Sequence, residues 1–251
     1  MEEPSIFAMP DGRRIAHRFV AGNSPTVVFL PGYMSDMSGS KAAAVFDWAK
    51  SHGRACLLLD YSGCGASSGK FAEGTLSRWR DEVTALIAAK CAGPVVLIGS
   101  SMGGWLMLLV ALAMGKRVAG LIGIAAAPDF TDWGYDDAQK TELARGETVL
   151  EDNPYGPEPT PTYPSFWADG QANRLLADPI GLDCPVRLLH GQRDADVPFT
   201  VALDLAAALH SADVQVTLIK DGDHRLSRDP DIALLLSTVA ALADQVSCQI
   251  S

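Results

Sequence analysis

The sequence predicts an α/β fold: a mostly parallel sheet with helices on both faces, an antiparallel hairpin at the N-terminal edge and an inserted cap. Three observations predict it. Short apolar runs alternate with helix-length patterns along the chain, which is the signature of strand–helix crossovers. The runs are apolar almost without interruption, as strands covered on both faces must be. One stretch, 128–181, breaks this rhythm with clustered prolines and scattered aromatics.

Taken in order, "SIFAMPDGRRIAHRFV" places two short segments around Asp11-Gly12, a hairpin signal. Strands are expected at 26–31, 55–61, 94–99, 118–126, 186–191 and 214–220. The last of these alternates more than the others and belongs nearer an edge. Helices are expected at 40–51, 75–90, 102–115, 198–209 and 230–244. In the second, Leu76, Trp79, Val83, Leu86, Ile87 and Lys90 recur at helical spacing and make one stripe. In the last, Asp229 is expected as N-cap with Pro230 at the first helical position. Residues 1–127 and 182–251 are expected to form the core. Residues 128–181, with "NPYGPEPTPTYP" and Trp133, Tyr135, Tyr155, Tyr163, Phe166 and Trp167, form the cap, since a structureless loop of that length is improbable. These aromatics either roof an apolar pocket or bury the cap against the core; for any single one burial is expected, as it is for Trp105.

Composition narrows the function classes. Lys and Arg number 20 against 30 Asp and Glu, a net charge of −10. Such a surface repels phosphate backbones and anionic headgroups, so neither nucleic acid nor a lipid surface is an expected partner. The five cysteines include no CxxC pair, so neither a disulfide framework nor a structural zinc is expected. The apolar stretch 95–114 is long enough to raise a membrane span, but its serines, glycines and the following Lys116-Arg117 favour a strand–turn–helix. The acidic "MEEPSIF" lacks the basic and apolar blocks of a signal peptide, and a cytoplasmic location is expected.

"IGSSMGGWLM" carries the chemistry. A G-x-S-x-G elbow sets its serine on a sharp strand-to-helix turn. Gly99-Ser100-Ser101-Met102-Gly103 fits with Ser101 at the centre, whereas centring on Ser100 puts Ile98 where glycine is needed. A serine hydroxyl needs a base and the base an orienting acid, in the chain order Ser, acid, His. His17 and His52 precede Ser101, His190 ends a strand where a structural hydrogen bond is expected, and His210 ends a helix. His224, in the loop "KDGDHRLS", is left as the base. The acid belongs on "HGQRDADVP": Asp194 is preferred for its spacing to Val197 and Pro198, with Asp196 the alternative and Asp223 a turn residue. The backbone N–H of Met102 and of Tyr33, in "PGYM", are the expected oxyanion donors.

These motifs resemble the α/β-hydrolase family over nearly all of 25–244, with "LDYSGCGASSG" matching its D-x-x-G-x-G-x-S loop. More narrowly, "TLSRWRDEV", "GSSMGGWLML", "CPVRLLHG" and "DHRLSRDPDIALL" resemble the branch containing the mitochondrial palmitoyl-protein thioesterase of animals, which includes acyl-glucuronide hydrolase activity. The resemblance implies the α/β-hydrolase fold and Ser101, Asp194 and His224 as a catalytic triad, in a bacterial-type relative. The expected reaction is cleavage of a small-molecule or lipidated acyl ester or thioester, with medium or long acyl chains, needing no metal or organic cofactor. The alternatives are a general carboxylesterase and a non-catalytic hydrolase-fold binding protein. Stable membrane insertion is not expected, and the oligomeric state stays open.

Overall fold

The computed structural model describes residues 3–153 and 156–250, the side chains of residues 249 and 250 excepted; Pro154 and Tyr155 of the cap sequence lie outside the described residues. The chain opens with β1 (Ser5–Ala8), β2 (Arg14–Val20), β3 (Asn23–Leu30), α1 (Ser40–Ser51) and β4 (Arg54–Leu59). It continues through α2 (Leu76–Lys90), β5 (Val95–Ser100), α3 (Met102–Met114) and β6 (Val118–Ile124). Between β6 and β9 (Val186–Gly191) lie α4 (Phe130–Trp133), α5 (Asp137–Ala144), β7 (Val149–Glu151), β8 (Thr160–Thr162) and α6 (Pro164–Ala172). The chain ends with α7 (Thr200–Ala208), β10 (Val214–Ile219) and α8 (Asp229–Ile250).

Eight strands form one sheet in the order β1-β2-β4-β3-β5-β6-β9-β10. The β1–β2 and β2–β4 pairings are antiparallel and the rest parallel. Successive strand residues feed opposite faces. Val28, Leu30, Leu57, Leu59, Val95 and Leu97 pack under α2, α3 and α7. Their neighbours Val27, Phe29, Cys56, Leu58, Val96 and Ile98 pack under α1 and α8. The strand β10 is the sheet edge, as its alternation requires. The stretch 95–114 divides into β5 and α3, both in the core.

Two local expectations are corrected. On α2 the buried stripe includes Glu82 and leaves Lys90 exposed, because Arg13 pairs with the Glu82 carboxylate while the Ser62 amide donates to it at 2.9 Å. At α8 the helix starts at Asp229, so Asp229 is its first residue and not its cap. Asp231 accepts from the Arg228 amide at 3.1 Å and from Arg228 Nε at 2.8 Å, which fixes the start one residue early. By length and composition α8 is apolar enough to cross a membrane, and here Leu235, Val239, Leu242 and Val246 are buried on the sheet.

The segment between β6 and β9 is stapled where it leaves and rejoins the sheet layer. Buried Asp129, in the left-handed region at φ 59°, accepts from the amides of Leu175 at 2.8 Å and Leu176 at 2.8 Å. Asn tolerates this backbone but presents only one acceptor oxygen. Asp129→Asn is therefore expected to cost about 1–3 kcal/mol, read as a lowered urea midpoint, and to speed proteolytic cleavage between residues 130 and 175.

Candidate active site

The site is built on the carboxyl ends of the parallel strands, where open α/β sheets present their crevice. Ser101 stands between β5 and α3 at φ 55°, ψ −123°, a conformation that side chains rarely adopt. The backbone around it holds it there. The Ser101 amide donates to Ile124 O at 2.9 Å, and its carbonyl accepts from Gly104 at 2.8 Å and Ala127 at 3.1 Å. A Cβ on Gly103 would stand 2.2 Å from Leu30 O, and one on Gly99 2.3 Å from Gly103 O, so the elbow closes only with glycine at both places.

The acid and base sit on neighbouring loops for an equally local reason. A Cβ on Gly191 would meet Gly222 O at 2.3 Å, so the loops after β9 and β10 touch backbone to backbone. Arg193 N donates to Gly222 O at 2.9 Å and Gln192 N to Ile219 O at 2.8 Å, which closes the contact. Asp194 then turns inward. Its Oδ1 accepts from the Asp196 amide at 2.9 Å and the Val197 amide at 2.8 Å, an Asx-turn that aims Oδ2 at His224. Asp223 accepts from Leu226 N at 3.0 Å and shapes the turn that carries the histidine.

Ser101, Asp194 and His224 come together. His224 Nε2 lies 3.0 Å from Ser101 Oγ, and His224 Nδ1 lies 2.8 Å from Asp194 Oδ2. The Asp194 side chain is fully buried, that of His224 14% exposed, so the acid is sealed and the base is reachable. Burial pushes the Asp194 carboxyl upward. Hydrogen bonds from His190 and His224, the charge of His224 and the Val197 amide outweigh it and hold the group well below the usual carboxylate range. Asp196, the alternative acid, stays exposed. Asp194, Asp196 and His224 each bring one possible metal-ligating atom within 4.8 Å of the others. His224 Nδ1 and Asp194 Oδ2 are already bonded together and Nε2 faces Ser101, so this trio presents no open donor set.

The expected oxyanion donors flank the serine. Met102 opens α3, where helix amides point outward with no partner within the helix. The Gly32–Tyr33 loop passes directly over the elbow, since a Cβ on Gly32 would stand 3.4 Å from Ser101 Cβ. The Tyr33 side chain is engaged as well, a constraint that a backbone donor alone does not impose. Its hydroxyl donates to Pro161 O at 2.9 Å, and its ring meets Phe71 at 4.9 Å and Phe166 at 4.8 Å between centroids.

A cleft of about 750 Å³ opens over Ser101 and His224. Met34, Phe130, Trp133 and Tyr135 line it. Lys41, Glu151, Asp152 and Arg225 line it as well. Burial draws Lys41 down to about 8, and its ammonium donates to Arg225 O and to Ser227 Oγ. The aromatics of 128–181 thus divide: Trp133 and Tyr135 reach the cleft, while Phe166 is buried and Trp167 Nε1 donates to Thr131 O at 3.0 Å. Trp105 is core, as expected, and its indole also donates to Asn173 O at 3.1 Å.

A family model described as the alpha/beta hydrolase family matches residues 27–245. The chain belongs to the alpha/beta hydrolase family. Within that family it is 42% identical over 238 residues to the mouse mitochondrial palmitoyl-protein thioesterase ABHD10, covering 93% of this chain and 80% of the mouse protein. It is 38% identical over 247 residues to the human protein of that name, covering 97% and 81%. Among solved structures, mouse alpha/beta hydrolase domain-containing protein 10 superposes with a TM-score of 0.91 at 37% identity, covering 98% of this chain and all of the other. A putative hydrolase from Agrobacterium vitis S4 gives 0.89 at 39% identity, covering 96% and 98%.

Three features of this alpha/beta hydrolase were not legible in the sequence: the second imidazole at Asp194, the half-buried Lys41 and the Asp129 staple. The last two need partners dozens of residues away, and the first needs the turn after β9 to bring Asp194 back against His190.

The depressed Asp194 group has a consequence for acid stability. Its folded value lies below the unfolded one of about 3.9, so its contribution is complete above about pH 4 and is lost as pH falls through the folded value. Asp194→Asn should accordingly lose stability less steeply than the wild type as pH falls below about 4, in urea midpoints measured from about pH 2.5 to 7.

Proposed function

We propose that this alpha/beta hydrolase is a serine hydrolase cleaving carboxylic thioesters and esters through an acyl-enzyme, with Ser101, His224 and Asp194 as its triad. The observation that carries the reading is the hydrogen-bonded chain Ser101 Oγ–His224–Asp194, at 3.0 and 2.8 Å, on the floor of the cleft. The similarity to proteins named palmitoyl-protein thioesterase supports it.

The steps in this reading are as follows. His224 Nε2 takes the Ser101 proton as Oγ attacks the acyl carbonyl carbon. The oxygen that becomes negative is held by the Met102 and Tyr33 amides, the first reinforced by the dipole of α3. Asp194 holds the imidazole with Nδ1–H toward itself and stabilises the charge that forms on the ring. The tetrahedral centre collapses, the C–S or C–O bond breaks, and the leaving group takes its proton from His224. Water then gives a proton to His224 as it attacks the acyl carbon, and collapse returns the proton to Ser101 Oγ with release of the carboxylic acid.

Residues 128–181 act as a cap in this reading. Phe130, Trp133 and Tyr135 offer an apolar wall to an acyl chain of medium or long length. A second reading, a general carboxylesterase, is favoured by Lys41, Glu151, Asp152 and Arg225 on the same cleft, a polar lining that suits compact substrates.

Hydrolysis of matched S-acyl and O-acyl substrates across chain lengths separates the two. Preference for long-chain thioesters is expected; rapid turnover of short oxygen esters with poor thioester cleavage selects the second reading. Ser101→Ala should lower kcat by at least about 10⁴-fold and abolish labelling by a fluorophosphonate. Asp194→Asn should cost on the order of 10⁴-fold, by analogy with other triads, and Asp196→Asn less than about tenfold. The opposite ranking would exchange their roles. A wild-type protein that neither labels nor turns over any acyl substrate would be a binding protein on this fold.

A further inference from the structure

His190 is a buried imidazole that the reaction above does not use. It lies near the end of β9, is 0% exposed, and stands beside the acid. Its Nε2 is 3.0 Å from Val197 O and 3.2 Å from Asp194 Oδ2, while its Nδ1 meets no hydrogen-bond partner among the described residues. That asymmetry sets the tautomer. A proton on Nδ1 would be a buried donor with nothing to bond, whereas a proton on Nε2 faces two acceptors. His190 thus carries its proton on Nε2, facing the Val197 carbonyl, with Asp194 Oδ2 3.2 Å from the same nitrogen.

Val197 closes the arrangement from the other side, since its amide donates to Asp194 Oδ1 at 2.8 Å. One turn therefore carries both the acceptor that orients His190 and a donor that orients Asp194. Oδ2 is shared between the two imidazoles, His224 at 2.8 Å and His190 at 3.2 Å.

We propose that His190 is a positioning residue: a fixed Nε2 donor that locks the Asp194–Val197 turn and weakens the hold of Asp194 on the protonated form of His224. The inference rests on the triad reading above. A carboxylate whose charge is dispersed over more donors attracts a neighbouring imidazolium less. With the His190 N–H removed, Oδ2 keeps His224 as its only imidazole partner, in a sealed pocket where a replacement donor is not at hand. The protonated, unreactive form of His224 is then favoured, and the carboxylate is freer to rotate. Other groups facing His224 are Ser101 from the elbow, Asp196 from the acid loop, Asp223 and Arg225 on its own loop, and Lys41 of α1 through the Arg225 carbonyl. None of these side chains is itself substituted in the His190 variants.

The test is kcat and KM against pH for wild type, His190→Leu, His190→Gln and His190→Asn on one thioester, normalised to active sites titrated with a fluorophosphonate, with Ser101→Ala as blank. Leu fills the space and removes the donor. Gln carries an amide N–H at the reach of Nε2, and Asn carries one too short to get there. In His190→Leu the acid limb of kcat/KM should move up by about half a pH unit, and kcat should fall about tenfold with KM within about twofold. His190→Gln should return the limb to the wild-type position, and His190→Asn should not. If the Leu variant does not fold, the comparison of Gln with Asn carries the same decision. A limb that stays in place in both Leu and Asn variants, whatever happens to their melting temperatures, makes His190 a packing residue and overturns the proposal. A shift that Gln does not rescue overturns the donor role. Wild-type turnover that survives Ser101→Ala sinks the triad reading, and this inference with it, and is distinguishable because it appears in the blank.

Discussion

The site depends on one strained residue. Ser101 sits at φ 55°, ψ −123°, and the surrounding backbone over-determines that conformation through hydrogen bonds to Ile124, Gly104 and Ala127. Strain of this kind lasts only where packing enforces it, and here glycines at 99 and 103 let strand, turn and helix close at distances no Cβ would permit. The consequence is directional. The hydroxyl faces His224, α3 starts at the next residue, and the Gly32–Tyr33 loop lies against the serine. Move the elbow and the positions of the amides, the base and the aromatic wall all lose their common reference.

The acid–base pair is arranged on the opposite principle, by saturation instead of strain. A buried carboxylate is costly unless its charge is met by donors. Asp194 meets two amides on Oδ1 and two imidazoles around Oδ2. The same bonds that make its burial tolerable also fix its rotation, so electrostatic cost and geometric precision are settled together. The contact between Gly191 and Gly222 brings the two loops near enough for this to happen.

The segment between β6 and β9 is coupled to this centre through polar contacts at its ends and middle. Asp129 ties its start to the 175–176 turn, Trp105 reaches from the elbow helix to Asn173, and Tyr33 reaches from the loop above Ser101 to Pro161. Tyr33 is therefore two things at once: an amide beside Ser101 and a side chain bound to the segment between β6 and β9. The cleft between them carries both aromatic and charged residues.

The amino-acid sequence by itself determined the order of strands and helices, the hairpin around Asp11-Gly12 and the elbow at Ser101, because each is written in local periodicity or in a short motif. It also singled out His224, by elimination along the chain, and preferred Asp194 through its spacing to Val197. The structure supplies the reason for that spacing: the Val197 amide is a donor to Asp194. Tertiary structure alone decided what lies between distant segments. Local pattern says nothing of Arg13 against Glu82, of the 175–176 turn against Asp129, or of the His224 loop against Lys41. His190 is a strand-end histidine in the sequence and becomes a neighbour of the acid only when β9 and its loop fold back on themselves. Local pattern encodes where apolar faces go, since burial depends on periodicity. The partner of a buried polar group depends on which loops meet, and that is set by the packing of the whole sheet.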